Sequence, residues 1–166
     1  INQDLLLMGA FLHDLGKIDE LAYERGLTYS DEGQLIGHLV IAVAMLEQWG
    51  VAVDQACDGA QALGAVELAA REGRPFDVVL MDVQMPVMSG YEATRALRTM
   101  PAGRSVPVIA LTAAALVSER DEAFKAGMND FLTKPIDAAR LRATLSRWIA
   151  RRGGAAENLR QEHRNS

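Results

Sequence analysis

Two unbroken apolar runs each stop at a polar residue that can do chemistry. Val78-Val79-Leu80-Met81 ends at Asp82, and Val108-Ile109-Ala110-Leu111 ends at Thr112. A run without polar alternation is buried on both faces if it is extended, and such strands belong to parallel sheets with helices above and below. The intervening stretches are helical in pattern. Residues 59–71 are rich in Ala, Leu and Glu; 89–100 follow Ser89; 117–126 stop at Gly127; and 136–150 end in basic residues, which suit a helix C-terminus. Short extended segments at 51–56 and 130–133 complete an alternation of strand and helix. The predicted class is therefore α/β, with a parallel sheet sandwiched by helices.

In an open parallel sheet, functional groups gather at the carboxyl ends of the strands. Asp82 and Thr112 fall there, and Lys134 follows Phe131-Leu132-Thr133 at the end of another strand. Any one of them would also serve as an ordinary strand cap. Together they place a carboxylate, a hydroxyl and an ammonium side by side. A carboxylate can attack a phosphoryl donor and form an acyl phosphate. An ammonium and a hydroxyl can hold the phosphoryl oxygens.

Composition removes several other classes. A net charge of −5 argues against bulk nucleic-acid binding, which needs a basic face. Cys57 is the single cysteine, so no internal disulfide forms and a reducing cytoplasm suits the chain. No apolar run approaches the length of a membrane span. The start, Ile1-Asn2-Gln3-Asp4, lacks a basic n-region and reads as a segment of something longer. Gly59, Gly64 and Gly73 form no phosphate loop, because no GxxxxGK pattern follows. Trp49, Trp148, Met81, Met85 and Met88 read as packing residues.

Three motifs carry a family resemblance. Leu80-Met81-Asp82-Val83-Gln84-Met85-Pro86-Val87-Met88-Ser89-Gly90, Ala110-Leu111-Thr112-Ala113 and Asp130-Phe131-Leu132-Thr133-Lys134-Pro135 resemble the signature segments of response regulator receiver domains. The spacings of 30 residues from Asp82 to Thr112 and 22 from Thr112 to Lys134 are those of the family. The wording is most similar to receivers attached to hybrid histidine kinases. The resemblance implies a flavodoxin-like fold with Asp82 as phosphoacceptor. Mg²⁺ would be held by Asp82 and the backbone of Gln84, and Lys134 would be the second cation. Thr112 and Phe131 would form the switch, and the Lys134-Pro135 bond would be cis. The implied partner is a histidine kinase or histidine phosphotransfer domain, in a cytoplasmic phosphorelay.

One part of the family pattern is not found in register. Counting back from Gly50, the acidic pair that holds Mg²⁺ falls at Gly33 and Gln34. In the family's strand order, 2-1-3-4-5, the first strand is interior, so its loss would strand backbone donors and acceptors. Leu27-Thr28-Tyr29-Ser30 is the expected substitute strand, which would bring Asp31 and Glu32 to the metal site. A strand swapped from a second copy, in a homodimer, is the other route. Mg²⁺ binding is expected to be weakened.

The first 43 residues have a different style, expected to form an α-helical amino-terminal extension. Residues 1–17 and 29–38 resemble a fragment of an HD-domain phosphohydrolase or exoribonuclease. That resemblance implies His13, Asp14 and His38 as divalent-metal ligands, although both histidines also read as ordinary helix residues. The expected division is 1–43 as the HD-like fragment, 44–150 as the receiver and 151–166 as a polar tail. The two styles meet inside one helix, near residues 39–44, which suggests a truncated or engineered chimera. The competing functions are a metal-dependent HD-type phosphohydrolase and a chimera unable to accept phosphate.

Overall fold

The computed structural model describes residues 4–8, 42–56, 58–85, 87–113 and 116–162. Five strands make one parallel sheet: β1 Asp4–Met8, β2 Ala52–Ala56, β3 Val78–Asp82, β4 Val108–Thr112 and β5 Asp130–Thr133. Their order is β2-β1-β3-β4-β5. The described helices are α1 (42–48), α2 Gly59–Arg71, α3 Gly90–Thr99, α4 Val117–Ala126 and α5 Ala138–Glu162.

Burial follows the two-residue period of an extended chain. On β3, Val79 and Met81 pack with Val66, Ala93 and Leu97 on one face of the sheet. Val78 and Leu80 pack with Leu46, Leu141 and Leu145 on the other. β4 divides in the same way, with Val108 and Ala110 on the first face and Ile109 and Leu111 on the second. All five residues of β3 and of β4 are buried, as two-sided coverage requires.

The interior slot is where sequence expectation and structure part. β1 fills it, pairing Leu5 to Met8 with Val78 to Met81 on one side and Asp4 to Met8 with Ala52 to Ala56 on the other. The first strand is therefore present, and the α-helical extension does not begin at residue 4. The physical reason is that β2 and β3 each need a backbone partner, and a ladder on both edges outweighs the helix propensity of a Leu-rich segment. A strand from Leu27–Ser30 is not what completes the sheet. Those residues, with Asp31 and Glu32, lie outside the described ones, as do His13, Asp14 and His38. The slot is filled from within one chain, so a swapped strand is not required for closure.

α5 also departs from expectation. It continues past Ala150 to Glu162, through the stretch assigned to a polar tail. Arg152 donates to the carbonyl of Phe76, ahead of β3, which ties the helix to the sheet beyond residue 150.

A proline in the middle of β1 removes a ladder donor where both edges are paired. Leu6→Pro is expected to lower unfolding free energy by at least about 1–3 kcal/mol, the cost of one buried carbonyl left without its donor. Urea denaturation of the parent and the variant measures it.

Candidate functional site

The site is built at the tips of β3, β4 and β5. Parallel registry brings Asp82 beside Leu111 and Thr112 beside Thr133. The backbone N–H of Lys134 donates to the carbonyl of Thr112 over 2.8 Å, which carries the chain from β5 across the end of β4. The Lys134-Pro135 bond is cis, as the motif implied.

Lys134 reaches across β4 to Asp82. Its Nζ donates to Oδ2 over 2.5 Å, and the two side chains are only 4% and 1% exposed. The other carboxylate oxygen, Oδ1, accepts the Gln84 backbone N–H at 2.9 Å. Burial is the largest influence on the Asp82 carboxyl and raises its pKa above the usual value. The Lys134 charge, the Lys134 hydrogen bond and the Gln84 N–H act in the opposite direction. Both oxygens are thus anchored in a dry setting, which fixes the orientation of the carboxylate.

α3 is brought up against the same strand end. Ser89 caps it through a capping box with Glu92, and the Gly90 N–H donates to the Val83 carbonyl at 3.0 Å. A Cβ on Gly90 would stand 2.2 Å from the Asp82 carbonyl oxygen, so only glycine permits this approach.

Thr112 closes the site on the β4 side. Its backbone adjoins Lys134, but its hydroxyl donates to Glu119 Oε2 in the first turn of α4, at 2.5 Å. Phe131 pairs with Ala110 across the sheet, and the Arg120 guanidinium lies 5.4 Å from its ring centre. Of the expected site residues, Asp82, Lys134 and Thr112 therefore share one end of the sheet, and Phe131 lies two residues back from it, opposite Ala110. Gln84 contributes its N–H to Asp82. Glu119 and Gly90 were not singled out from the sequence. An acidic residue in the first turn of a helix usually reads as a partner of the helix dipole, which hides any second role.

Fold and site together define a doubly wound α/β protein with a buried carboxylate–ammonium pair at its strand ends. The sequence profile described as the response regulator receiver domain matches residues 37–146. The Sensor protein GacS of Pseudomonas syringae pv. syringae is 39% identical over 131 residues, 77% of this chain and 14% of that protein. The histidine-protein kinase BarA of Shigella flexneri is 40% identical over 111 residues, 67% of this chain and 12% of that protein. The chain thus spans a small fraction of the length of these curated relatives. Among solved structures, the receiver domain of a sensor histidine kinase from Pseudomonas aeruginosa, with a magnesium ion coordinated in its active site cleft, is 35% identical. Its TM-score is 0.63, with 90% of this chain and 99% of that one covered. Chemotaxis protein CheY4 of Vibrio cholerae shares the fold at a TM-score of 0.65 and 24% identity, over 89% of this chain and 98% of that one. The chain belongs to the response regulator receiver domain family. These comparisons give the HD-type hydrolase reading no support.

Removing one partner of a buried ion pair leaves the other charge uncompensated. Lys134→Met is expected to cost about 3–5 kcal/mol at neutral pH. With Lys134 gone, burial is opposed only by the Gln84 N–H and holds the Asp82 pKa above the unfolded value. A group shifted this way favours folding below its unfolded pKa and loses that contribution as pH rises through the folded one. The deficit relative to the parent should therefore shrink as the solution is acidified toward the ordinary carboxylate range. Thermal melts of both proteins across pH measure it.

Proposed function

We propose that Asp82 accepts a phosphoryl group from a phosphohistidine and that the chain serves as the receiver step of a phosphorelay. The observation that carries the reading is the buried 2.5 Å pairing of Asp82 with Lys134 at the strand ends. An Asp82 carboxylate oxygen attacks phosphorus, an O–P bond forms, and the N–P bond to the donor imidazole breaks. The electron pair stays on the imidazole nitrogen, and the product is an acyl phosphate. An ionised carboxylate has spare lone pairs on both oxygens, so it attacks without surrendering the Gln84 N–H. Lys134 then turns from a carboxylate oxygen to a phosphoryl oxygen, keeping its charge compensated. Catalysis of this kind is positioning and charge neutralisation, which the fixed carboxylate and the Lys134 ammonium provide.

Mg²⁺ would be held at Asp82 and the backbone of Gln84, with phosphoryl oxygens and water completing its shell; when bound, it would supply further neutralisation of the phosphoryl charge. Among the described residues no cluster of three His, Cys, Asp or Glu side chains could hold a metal by itself. β1 ends at Met8, opposite Met81, and the next two residues in the chain are Gly9 and Ala10, neither a carboxylate. Mg²⁺ is therefore expected to bind more weakly here than to a receiver whose first strand ends in two acids. Isothermal titration against such a receiver measures the difference.

The phosphoryl donor is a histidine kinase or a histidine phosphotransfer domain, and a cytoplasmic location follows from that chemistry. Among the described residues no helix is long and apolar enough to cross a membrane.

Incubation with acetyl phosphate and Mg²⁺ should add one phosphoryl mass, absent in Asp82→Asn. An unmodified parent protein, or a modified Asp82→Asn, would sink the proposal. The attacking carboxylate must be ionised, and burial raises its pKa. The initial rate of phosphorylation should therefore fall away on acidification at a pH above the ordinary carboxylate range.

A further inference from the structure

The contact between Thr112 and Glu119 does more than attach α4. A threonine hydroxyl has one proton to donate. Here that proton goes to the Glu119 carboxylate over 2.5 Å, so it is not available to an oxygen on Asp82. The amino terminus of α4 has no side-chain cap. Its N-cap, Leu116, offers no side-chain acceptor to the first backbone N–H groups of the helix. Leu116 and Val117 are 59% and 75% exposed. Among the described residues, the Tyr91 hydroxyl also ties that turn to the body of the domain, donating to the Glu119 carbonyl at 3.4 Å. The next residue, Arg120, lies over both Phe124 and Phe131, at 5.6 and 5.4 Å. A small cavity of about 10 Å³ sits among Tyr91, Thr112, Glu119 and Phe131.

We propose that Glu119 is a positioning residue: its carboxylate latches the Thr112 hydroxyl in the unphosphorylated state and competes with a phosphoryl group on Asp82 for the same proton. The inference rests on Asp82 as acceptor. When the acyl phosphate forms, the Thr112 hydroxyl donates its hydrogen bond to a phosphoryl oxygen instead, and Glu119 is left half-buried without its donor. A carboxylate in that position turns to water. The first turn of α4 moves with it, since no side-chain cap restrains that end. Arg120 carries the displacement to Phe131. The latch thus converts one exchanged hydrogen bond into a movement of the α4 terminus, at the expense of phosphoryl occupancy.

The test compares the parent with Glu119→Ala and Glu119→Gln by two readouts. The first is the Thr112 side-chain rotamer, read from scalar couplings without any phosphoryl group. One rotamer is expected in the parent and in Glu119→Gln, whose amide oxygen still accepts, with averaging in Glu119→Ala. The second is the affinity for beryllofluoride in saturating Mg²⁺, expected to tighten about tenfold in Glu119→Ala and to stay near the parent value in Glu119→Gln. Glu119→Ser, too short to reach Thr112, repeats the measurement if the alanine variant does not fold. An unchanged rotamer in Glu119→Ala overturns the latch. So does a freed rotamer without tighter binding, because the hydroxyl would then not be in competition. Should beryllofluoride bind none of the proteins, the acceptor reading falls and the latch falls with it as a control on phosphorylation. Should it bind all of them equally, the latch falls while the acceptor reading stands.

Discussion

A carboxylate and an ammonium sealed together in a dry pocket set the terms for this molecule. Asp82 ends β3 and Lys134 follows β5, with β4 between them, and the pair closes only if three strands end at one level. Such a pair is weak evidence for stability, since taking both charges out of water costs about as much as their attraction returns. What it does provide is definition. Neither charge can tolerate the loss of its partner, so the strand ends, the turn after Lys134 and the close approach of α3 at Gly90 all have to hold it in place.

The surroundings of the pair are graded in rigidity. β3 and β4 are buried along their whole length, and α3 enters with a full capping box. α4 has a left-handed glycine closing its C-terminus at Gly127 but no side-chain cap at its start. A well-fixed carboxylate beside a helix end without a side-chain cap is the arrangement the proposed switch uses: charge changes at the first, and the second lacks one of the usual restraints. Thr112 joins them, with its backbone on the sheet and its hydroxyl on the helix.

Much of the site was legible without coordinates. Asp82, Thr112 and Lys134 each follow an apolar run, and strand-end placement is a consequence of sheet topology that the pattern alone exposes. Glu119 was not legible. Its partner lies seven positions away in another element, and its place in a first helical turn supplies a sufficient local explanation. Gly90 was visible only as part of a motif. That its missing Cβ admits the Asp82 carbonyl is a statement about two backbones meeting in space.

The first strand separates the two kinds of information most clearly. Asp4-Leu5-Leu6-Leu7-Met8 is a short apolar run bounded by Asp4 and Gly9, much like those at 78–81 and 108–111, but it is made of leucine and methionine, which favour helix. Read locally, it joined the segment that resembles an HD-type fragment. The alternating layout from residue 52 onward can be read off the chain, because an apolar run closed by a polar residue carries both its burial and its end in its own letters. Which stretch occupies the slot between β2 and β3 emerges only once the sheet is assembled. That choice is set by backbone groups on two neighbouring strands, which must be satisfied whatever side chains the filling segment bears.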